Sequence, residues 1–214
     1  TMEITSASST GGGATEAAAY FPTTALANAV LTDVICQSET TGVLSMRASV
    51  EYAGTYTRVT SGGSSFGYSG TASGTFTDCV GGTNSFGGTA SGTFTDCVAG
   101  NTSFGYGGTA SGTFIRCVGG YENFGAQGTA SGTFTECVAG GNYSFGGYGG
   151  TASGTFTDCV GGASCFGGFY GTASGTFTDC TGGTNSFGGD GGTVDAGAVF
   201  IRCHGADTHM NTGK

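Results

Sequence analysis

Seven cysteines recur along the chain at intervals of 18 to 23 residues, and thiols can serve as nucleophiles, metal ligands or disulfide partners. The series is Cys79, Cys97, Cys117, Cys137, Cys159, Cys180 and Cys203, with Cys36 ahead of it and Cys165 outside its spacing. Only two histidines are present, both in the C-terminal tail, so no histidine recurs with the thiols to activate them as nucleophiles. The regular spacing instead predicts a column of reduced, buried thiols, which suits assembly in a reducing cytoplasm.

Charged side chains directly precede these cysteines, and paired carboxylates can act as a general acid and base or bind Ca²⁺. This series is Arg58, Asp78, Asp96, Arg116, Glu136, Asp158, Asp179 and Arg202. Its members recur evenly and do not converge on one cleft, and no Asp-x-Asp-x-Asp loop is present. We therefore predict no enzyme and no catalytic, cofactor-binding or metal-binding residue. The alternative is a cation between Asp78 and Asp96 or between Asp158 and Asp179.

Both series belong to one repeated phrase, Gly-Thr-Ala-Ser-Gly-Thr-Phe-Thr-Asp-Cys-Val-Gly-Gly, followed by a short spacer and Ser-Phe-Gly. A period near twenty residues indicates stacked, near-identical units. Within the phrase, apolar residues alternate with Ser and Thr as in a strand, and the 47 glycines disfavour helix. We predict an all-β, single-stranded parallel β-solenoid (β-helix) of about nine coils with rungs of about twenty residues.

The alternation also predicts what fills the coil. One phenylalanine column is Phe76, Phe94, Phe114, Phe134, Phe156, Phe177 and Phe200, with Tyr56 above it. A second is Phe66, Phe86, Phe104, Phe124, Phe145, Phe166 and Phe187, and a small-residue column is Ala90, Ala110, Ala130, Ala152 and Ala173. We expect Gly81-Gly82 to form a bend with positive φ, and Phe86 to begin a further inward strand.

Three regions follow from the extent of the phrase. Residues 1–50 are predicted to be an N-terminal cap or attachment segment, with a short helix over 16–20 and a degenerate first rung over 29–36 that aligns Cys36 with Val59. Residues 51–203 are the solenoid repeats, and residues 204–214 a C-terminal tail or cap. No secretory signal and no apolar run long enough for a membrane span is present. The net charge of −9 with five basic residues argues against a nucleic-acid partner.

Two surfaces are candidates for binding. The first is a grid of threonines in Thr-x-Thr pairs: Thr75, Thr77, Thr93, Thr95, Thr133, Thr135, Thr155, Thr157, Thr176 and Thr178. On a solenoid face the spacing would be about 4.8 Å between rungs and about 6.7 Å along a strand. This grid resembles the ice-binding face of β-solenoid antifreeze proteins, although Thr is also simply a good exposed strand residue.

The second candidate is the set of aromatic residues in the spacers, whose length and composition vary while the phrase is kept: Tyr68, Tyr106, Tyr121, Tyr143, Tyr148, Phe169 and Tyr170. They stand beside Asn, Gln, Asp and Glu, so they could stack on sugar rings while the polar groups bind hydroxyls. The alternative is that they are solvated turns in which Tyr shields glycine.

The phrase over residues 73–82 and 153–162, with Ser-Phe-Gly at 85–87 and 144–146, resembles β-helical repeats of tail-fibre and other virion structural proteins of tailed bacteriophages. The resemblance covers about residues 50–203 and concerns the style of the repeat. It implies a rigid, non-enzymatic virion or extracellular component. Its implied partners are other virion or fibre subunits, further copies of the chain, or a surface glycan. An ice-binding protein that uses the threonine grid is the alternative.

Overall fold

The computed structural model describes residues 3–4, 7–9, 30–36, 51–67 and 69–206, with side chains described for residues 30–33, 51–67 and 69–206. Every regular element in this part of the chain is a β-strand, and the strands pair in parallel as a solenoid of about eight turns. The predicted fold is therefore confirmed, with a coil count close to the nine expected. The helix predicted over 16–20 and Tyr68 lie outside the described residues.

Each repeat contributes short strands to three parallel sheets. The Thr sheet contains β1 (Glu3–Ile4), β3 (Val30–Thr32), β6 (Thr55–Thr57), β8 (Thr75–Thr77), β11 (Thr93–Thr95), β14 (Thr113–Ile115), β17 (Thr133–Thr135), β20 (Thr155–Thr157), β22 (Thr176–Thr178) and β24 (Val199–Ile201). The Ala sheet contains β5 (Glu51–Tyr52), β7 (Thr71–Ala72), β10 (Thr89–Ala90), β13 (Thr109–Ala110), β16 (Thr129–Ala130), β19 (Thr151–Ala152), β21 (Thr172–Ala173) and β23 (Thr193–Val194). The Val sheet contains β9 (Val80–Gly81), β12 (Val98–Ala99), β15 (Val118–Gly119) and β18 (Val138–Ala139), and β2 (Ala7–Ser9) pairs with β4 (Val34–Cys36).

The register places equivalent residues of successive repeats opposite one another. Phe94, for example, pairs with Phe76 on one side and Phe114 on the other. The first rung departs from the prediction, because Leu31 pairs with Tyr56 at an offset of 25 residues. With that offset, Val34 and not Cys36 lies one turn before Val59, at the position that the cysteines occupy in later turns. The predicted alignment of Cys36 with Val59 is therefore wrong.

Both predicted phenylalanine columns are stacked, and their members are buried except for Phe200, which is half-buried. Consecutive rings within a column have centroids 4.7–4.9 Å apart and planes within 8° of parallel. Phenylalanines of different columns meet edge to face at 5.6–5.9 Å, for example Phe124 and Phe134 at 5.9 Å. These are the two arrangements that aromatic quadrupoles favour, so each ring gains pair energy beyond its burial. The alanine column is also fully buried.

The two columns are built differently, which corrects the predicted bends. Phe76 lies on a strand, but Phe86 lies in a turn with φ of 57° and begins no strand. Gly81 belongs to β9, and neither it nor Gly82 has positive φ. A Cβ on Gly81 would lie 2.6 Å from the Ser85 Cβ and 2.9 Å from the Phe86 ring, whereas Ala99 and Ala139 occupy the equivalent position in other turns. Only a small residue therefore fits beside the second column, and the following residues form the bend.

A buried polar column runs beside the second phenylalanine column and explains Cys165. Its members are Ser65, Ser85, Ser103, Asn123, Ser144, Cys165 and Ser186. From Ser85 onward, the backbone N–H of each member donates to the side chain of the next, as Asn123 does to Ser144 at 3.0 Å. Ser144 donates to the Cys165 sulfur at 3.4 Å, so Cys165 stands in a serine position of this ladder.

The regular cysteines form the predicted internal column. Cys79, Cys97, Cys117, Cys137, Cys159 and Cys180 are buried, Cys203 is half-buried, and the eight cysteines with described side chains are free thiols. Each thiol of the column lies near backbone carbonyls; Cys137 Sγ, for example, is 3.4 Å from both the Phe114 and the Thr135 carbonyl oxygens. Burial leaves the six fully buried thiols of the column as small core residues and not as accessible nucleophiles.

Candidate functional site

The variable loops are held by backbone hydrogen bonds, which frees their side chains to differ. In each turn a first loop joins the Val-sheet position to the second phenylalanine column (140–144 in one turn), and a second loop leads on to the Ala sheet (146–150 in the same turn). In the first loops, the N–H of Tyr143 donates to the Ala163 carbonyl at 3.0 Å. In the second loops, the N–H of Gly149 donates to the Phe169 carbonyl at 2.8 Å. Loops of successive turns therefore lie in stacked rows.

These rows bring five of the seven predicted loop residues into one aromatic cluster: Tyr121, Tyr143, Tyr148, Phe169 and Tyr170. The Tyr143 ring is in contact with Tyr121 at 5.7 Å, Tyr148 at 5.3 Å and Phe169 at 5.8 Å between centroids. Tyr148 stacks on Phe169 at 5.5 Å with 18° between the planes, and Phe169 contacts Tyr170 at 4.4 Å. The cluster spans three successive turns of the solenoid.

The cluster is open to solvent, unlike the phenylalanine columns. Tyr121 is 38% exposed, Tyr148 43% and Tyr170 66%, whereas Tyr143 and Phe169 are half-buried. Contiguous exposed apolar surface of this kind is typical of binding sites. The Tyr170 ring packs closely against Gly191 of the next turn, where a Cβ would collide with the ring, and this contact helps to fix the position of Tyr170.

Polar groups border the cluster. The Gln127 Nε2 donates to the Tyr106 hydroxyl at 3.0 Å and lies 3.5 Å from Glu122 Oε1, so Tyr106, the sixth predicted loop residue, joins the border. Partial burial, followed by the Glu122 carboxylate and the neighbouring phenols, raises the pKa of Tyr121 above its ordinary value. At the other end, the Asp190 carbonyl accepts the N–H of Tyr170 at 3.2 Å. The site thus offers ring faces, hydroxyls, one amide and the Glu122 carboxylate.

The predicted threonine grid lies on the Thr sheet with its members in register. Thr75, Thr93, Thr133 and Thr155 are exposed, while Thr176 and the second column of Thr77, Thr95, Thr135, Thr157 and Thr178 are half-buried. The ring stacks beneath give a rung spacing of 4.7–4.9 Å, as expected. Ile115 interrupts one column, and Val199 and Ile201 end both columns at β24.

Charged residues from Asp33 to Arg202 occupy one left-handed corner of each turn, with φ of 50–56°, and form a column whose members are exposed or half-buried. Three acids are paired with arginines of the following turn: Asp33 with Arg58, Asp96 with Arg116 (both bonds 2.7 Å), and Asp179 with Arg202 (Nε at 2.6 Å). The predicted cation positions therefore each contain one carboxylate already bound to an arginine. Among the described residues, no three His, Cys, Asp or Glu side chains converge to hold a metal. Bonding to arginine lowers the pKa of each of these three acids.

Sequence reasoning missed one surface, a ridge of exposed valines: Val80, Val98, Val118, Val138 and Val160. The sequence could have predicted this ridge, since each valine directly follows an inward-facing cysteine and must point outward by strand alternation. Thr60 and Thr181 occupy the same column at its two ends.

Comparisons of the chain with protein-family models, with curated proteins and with solved structures returned no match. The described residues include no helix that is long and apolar enough to cross a membrane.

Proposed function

We propose that the chain is a non-enzymatic, rigid β-solenoid that presents its variable loops to a carbohydrate. The observation that carries this proposal is the aromatic cluster. The repeats keep their interior nearly unchanged, yet exposed rings are concentrated in the loops of three neighbouring turns. Flat ring faces beside hydroxyl, amide and carboxylate groups suit sugar rings, whose faces are apolar and whose edges carry hydroxyls.

The phage-like style of the repeats supports a place in a virion fibre or another extracellular surface component. A stack of fully buried, in-register aromatic columns makes a stiff rod, because each turn is fixed by both neighbours. The charged groups support a non-enzymatic role, since they form an evenly spaced column and not a pair facing one cleft.

Binding of neutral hexasaccharides, measured by isothermal titration, tests the proposal. Suitable probes are the β-linked hexamers of glucose and of N-acetylglucosamine. We expect Tyr148→Ala and Phe169→Ala each to weaken binding about threefold to tenfold, since one aromatic contact contributes about 0.5–1.5 kcal/mol. Val138→Thr is the matched control on another surface, because Thr60 and Thr181 show that threonine suits that column. Equal binding by all four proteins would contradict the proposal.

A second candidate function, ice binding, is favoured by the in-register threonine columns of the Thr sheet. Thermal hysteresis is the measurement that separates the two functions. Activity in the wild-type protein that is lost in Thr133→Lys, but kept in Tyr148→Ala, would establish ice binding and contradict the carbohydrate proposal.

A further inference from the structure

The part of the chain that carries the aromatic cluster has acids but no basic side chain. Between Arg116 and Arg202 the sequence contains neither Lys nor Arg. The same stretch contains Glu122, Glu136, Asp158, Asp179, Asp190 and Asp195. Proteins bind carboxylate, sulfate or phosphate groups mainly through Arg and Lys, so an acidic glycan would find repulsion here and no cationic partner.

Two of these acids stand at opposite ends of the cluster. Glu122 follows Tyr121 directly and lies 3.5 Å from the Gln127 amide, which also donates to Tyr106. Asp190 stands at the far end, where its carbonyl accepts the N–H of Tyr170. A polymer that crosses the rings from Tyr121 to Tyr170 would therefore meet the Glu122 carboxylate at one end and pass the exposed residue Asp190 at the other.

We propose, on the basis of the carbohydrate-binding function above, that the ligand is a polymer of amino sugars with free, protonated amines. Two features of the cluster favour an ammonium group. The faces of Tyr and Phe rings attract cations through their quadrupoles, and the Glu122 carboxylate can form a charge-assisted hydrogen bond with ammonium. In this arrangement Tyr148 and Phe169 stack on the sugar rings, and Glu122 selects for charge.

Three hexamers of similar length and different charge test the inference: glucosamine, N-acetylglucosamine and galacturonate. Titrations are made in a mildly acidic, low-salt buffer that keeps the glucosamine amines protonated. We expect the glucosamine hexamer to bind about tenfold more tightly than the N-acetylated one, because one or two exposed charge contacts each contribute only modestly. The galacturonate hexamer should not bind. Added salt should reduce the preference, because exposed charges are screened.

Three variants test whether the preference belongs to the cluster. Glu122→Gln should remove most of the preference for the glucosamine hexamer over the N-acetylated hexamer. Glutamine suits this left-handed position, since Gln127 has a φ of 57° where Glu122 has 53°. Glu136→Gln is the control, because it removes an equal charge from the corner column outside the cluster. Tyr148→Ala should weaken binding of both hexamers together.

The outcomes separate the inference from the proposed function. Binding of the neutral hexamer with no preference for amines, or a preference that survives Glu122→Gln, would overturn the inference alone. Absence of binding by all three hexamers would overturn both.

Discussion

The replacement of Gly132 by alanine tests the packing of successive turns. Gly132 lies where the chain passes from the Ala sheet to the Thr sheet. A Cβ there would lie 2.8 Å from the Ser111 carbonyl carbon and closer still to the Gly112 carbonyl oxygen. The turns cannot separate easily, because the Phe114 and Phe134 rings stack at 4.8 Å directly beside this point.

The magnitude follows from what the added methyl displaces. Overpacking in a tight interior costs about 1–3 kcal/mol. Displacement of this segment also strains two hydrogen bonds, from Gly132 to the Ala110 carbonyl and from Thr133 to the Gly112 carbonyl, both 3.0 Å and each contributing about 1 kcal/mol. Alanine restricts the unfolded chain and returns about 0.4–1 kcal/mol. We expect a net loss of about 2–4 kcal/mol in the free energy of unfolding.

Urea unfolding followed by far-ultraviolet circular dichroism measures this loss. Gly140→Ala is the matched control, because a Cβ at that position lies 3.6 Å from the Gly119 carbonyl oxygen, an ordinary contact, and φ is not positive. The control should stay within about 1 kcal/mol of the wild-type protein. Equal stability of Gly132→Ala and Gly140→Ala would refute the close approach of successive turns.

Four further predictions concern single positions. Phe134→Ala should lower the free energy of unfolding by about 3–5 kcal/mol, since it empties a site between stacked rings, and a loss under 1 kcal/mol in urea titrations would contradict this packing. Cys165→Ser should be tolerated, because serine fills the same position of the polar column in other turns. If Cys165→Ser lowered the melting temperature as much as Cys165→Leu does, the result would argue against this hydrogen-bonded column. Cys165 is fully buried whereas Cys203 is half-buried, so in native protein an alkylating reagent should reach and modify Cys203 well before Cys165, and the reverse order by mass spectrometry would be inconsistent with the structure. Arg116 lowers the pKa of Asp96, so the ion pair stabilises the fold above the unfolded pKa of about 3.9, and this contribution is lost as the pH falls through the lower folded value. In Asp96→Asn the free energy of unfolding should therefore fall less steeply with decreasing pH in this acidic range. An unchanged pH dependence would count against the ion pair.

The strand part of each repeat was predictable because side-chain alternation has a fixed period. Phe76 and Thr75 point to opposite sides of one strand, so one phrase was enough to assign interior and surface. The turns follow no such rule. The Phe86 side chain is buried although its backbone has a left-handed conformation, and a hydrophobic residue in the sequence does not show whether it lies in such a turn or on a strand.

The aromatic cluster was predictable as a set of residues but not as a cluster. Tyr121 and Tyr143 stand 22 residues apart in the sequence, and Tyr148 and Phe169 stand 21 apart, because the loops differ in length. Only the backbone hydrogen bonds between loops fix which residues become neighbours. The pairing of Asp33 with Arg58 was missed for the same reason, since the first rung is aligned by an offset outside the range of the later repeats.

The most direct measurement is a crystal structure of the chain with the glucosamine hexamer bound. The account predicts sugar rings stacked on Tyr148 and Phe169, with carbon atoms about 3.5–4.0 Å from the ring faces, and an amine at the Glu122 carboxylate. Sugar bound on the Thr sheet or along the valine ridge, with the aromatic cluster left bare, would contradict it.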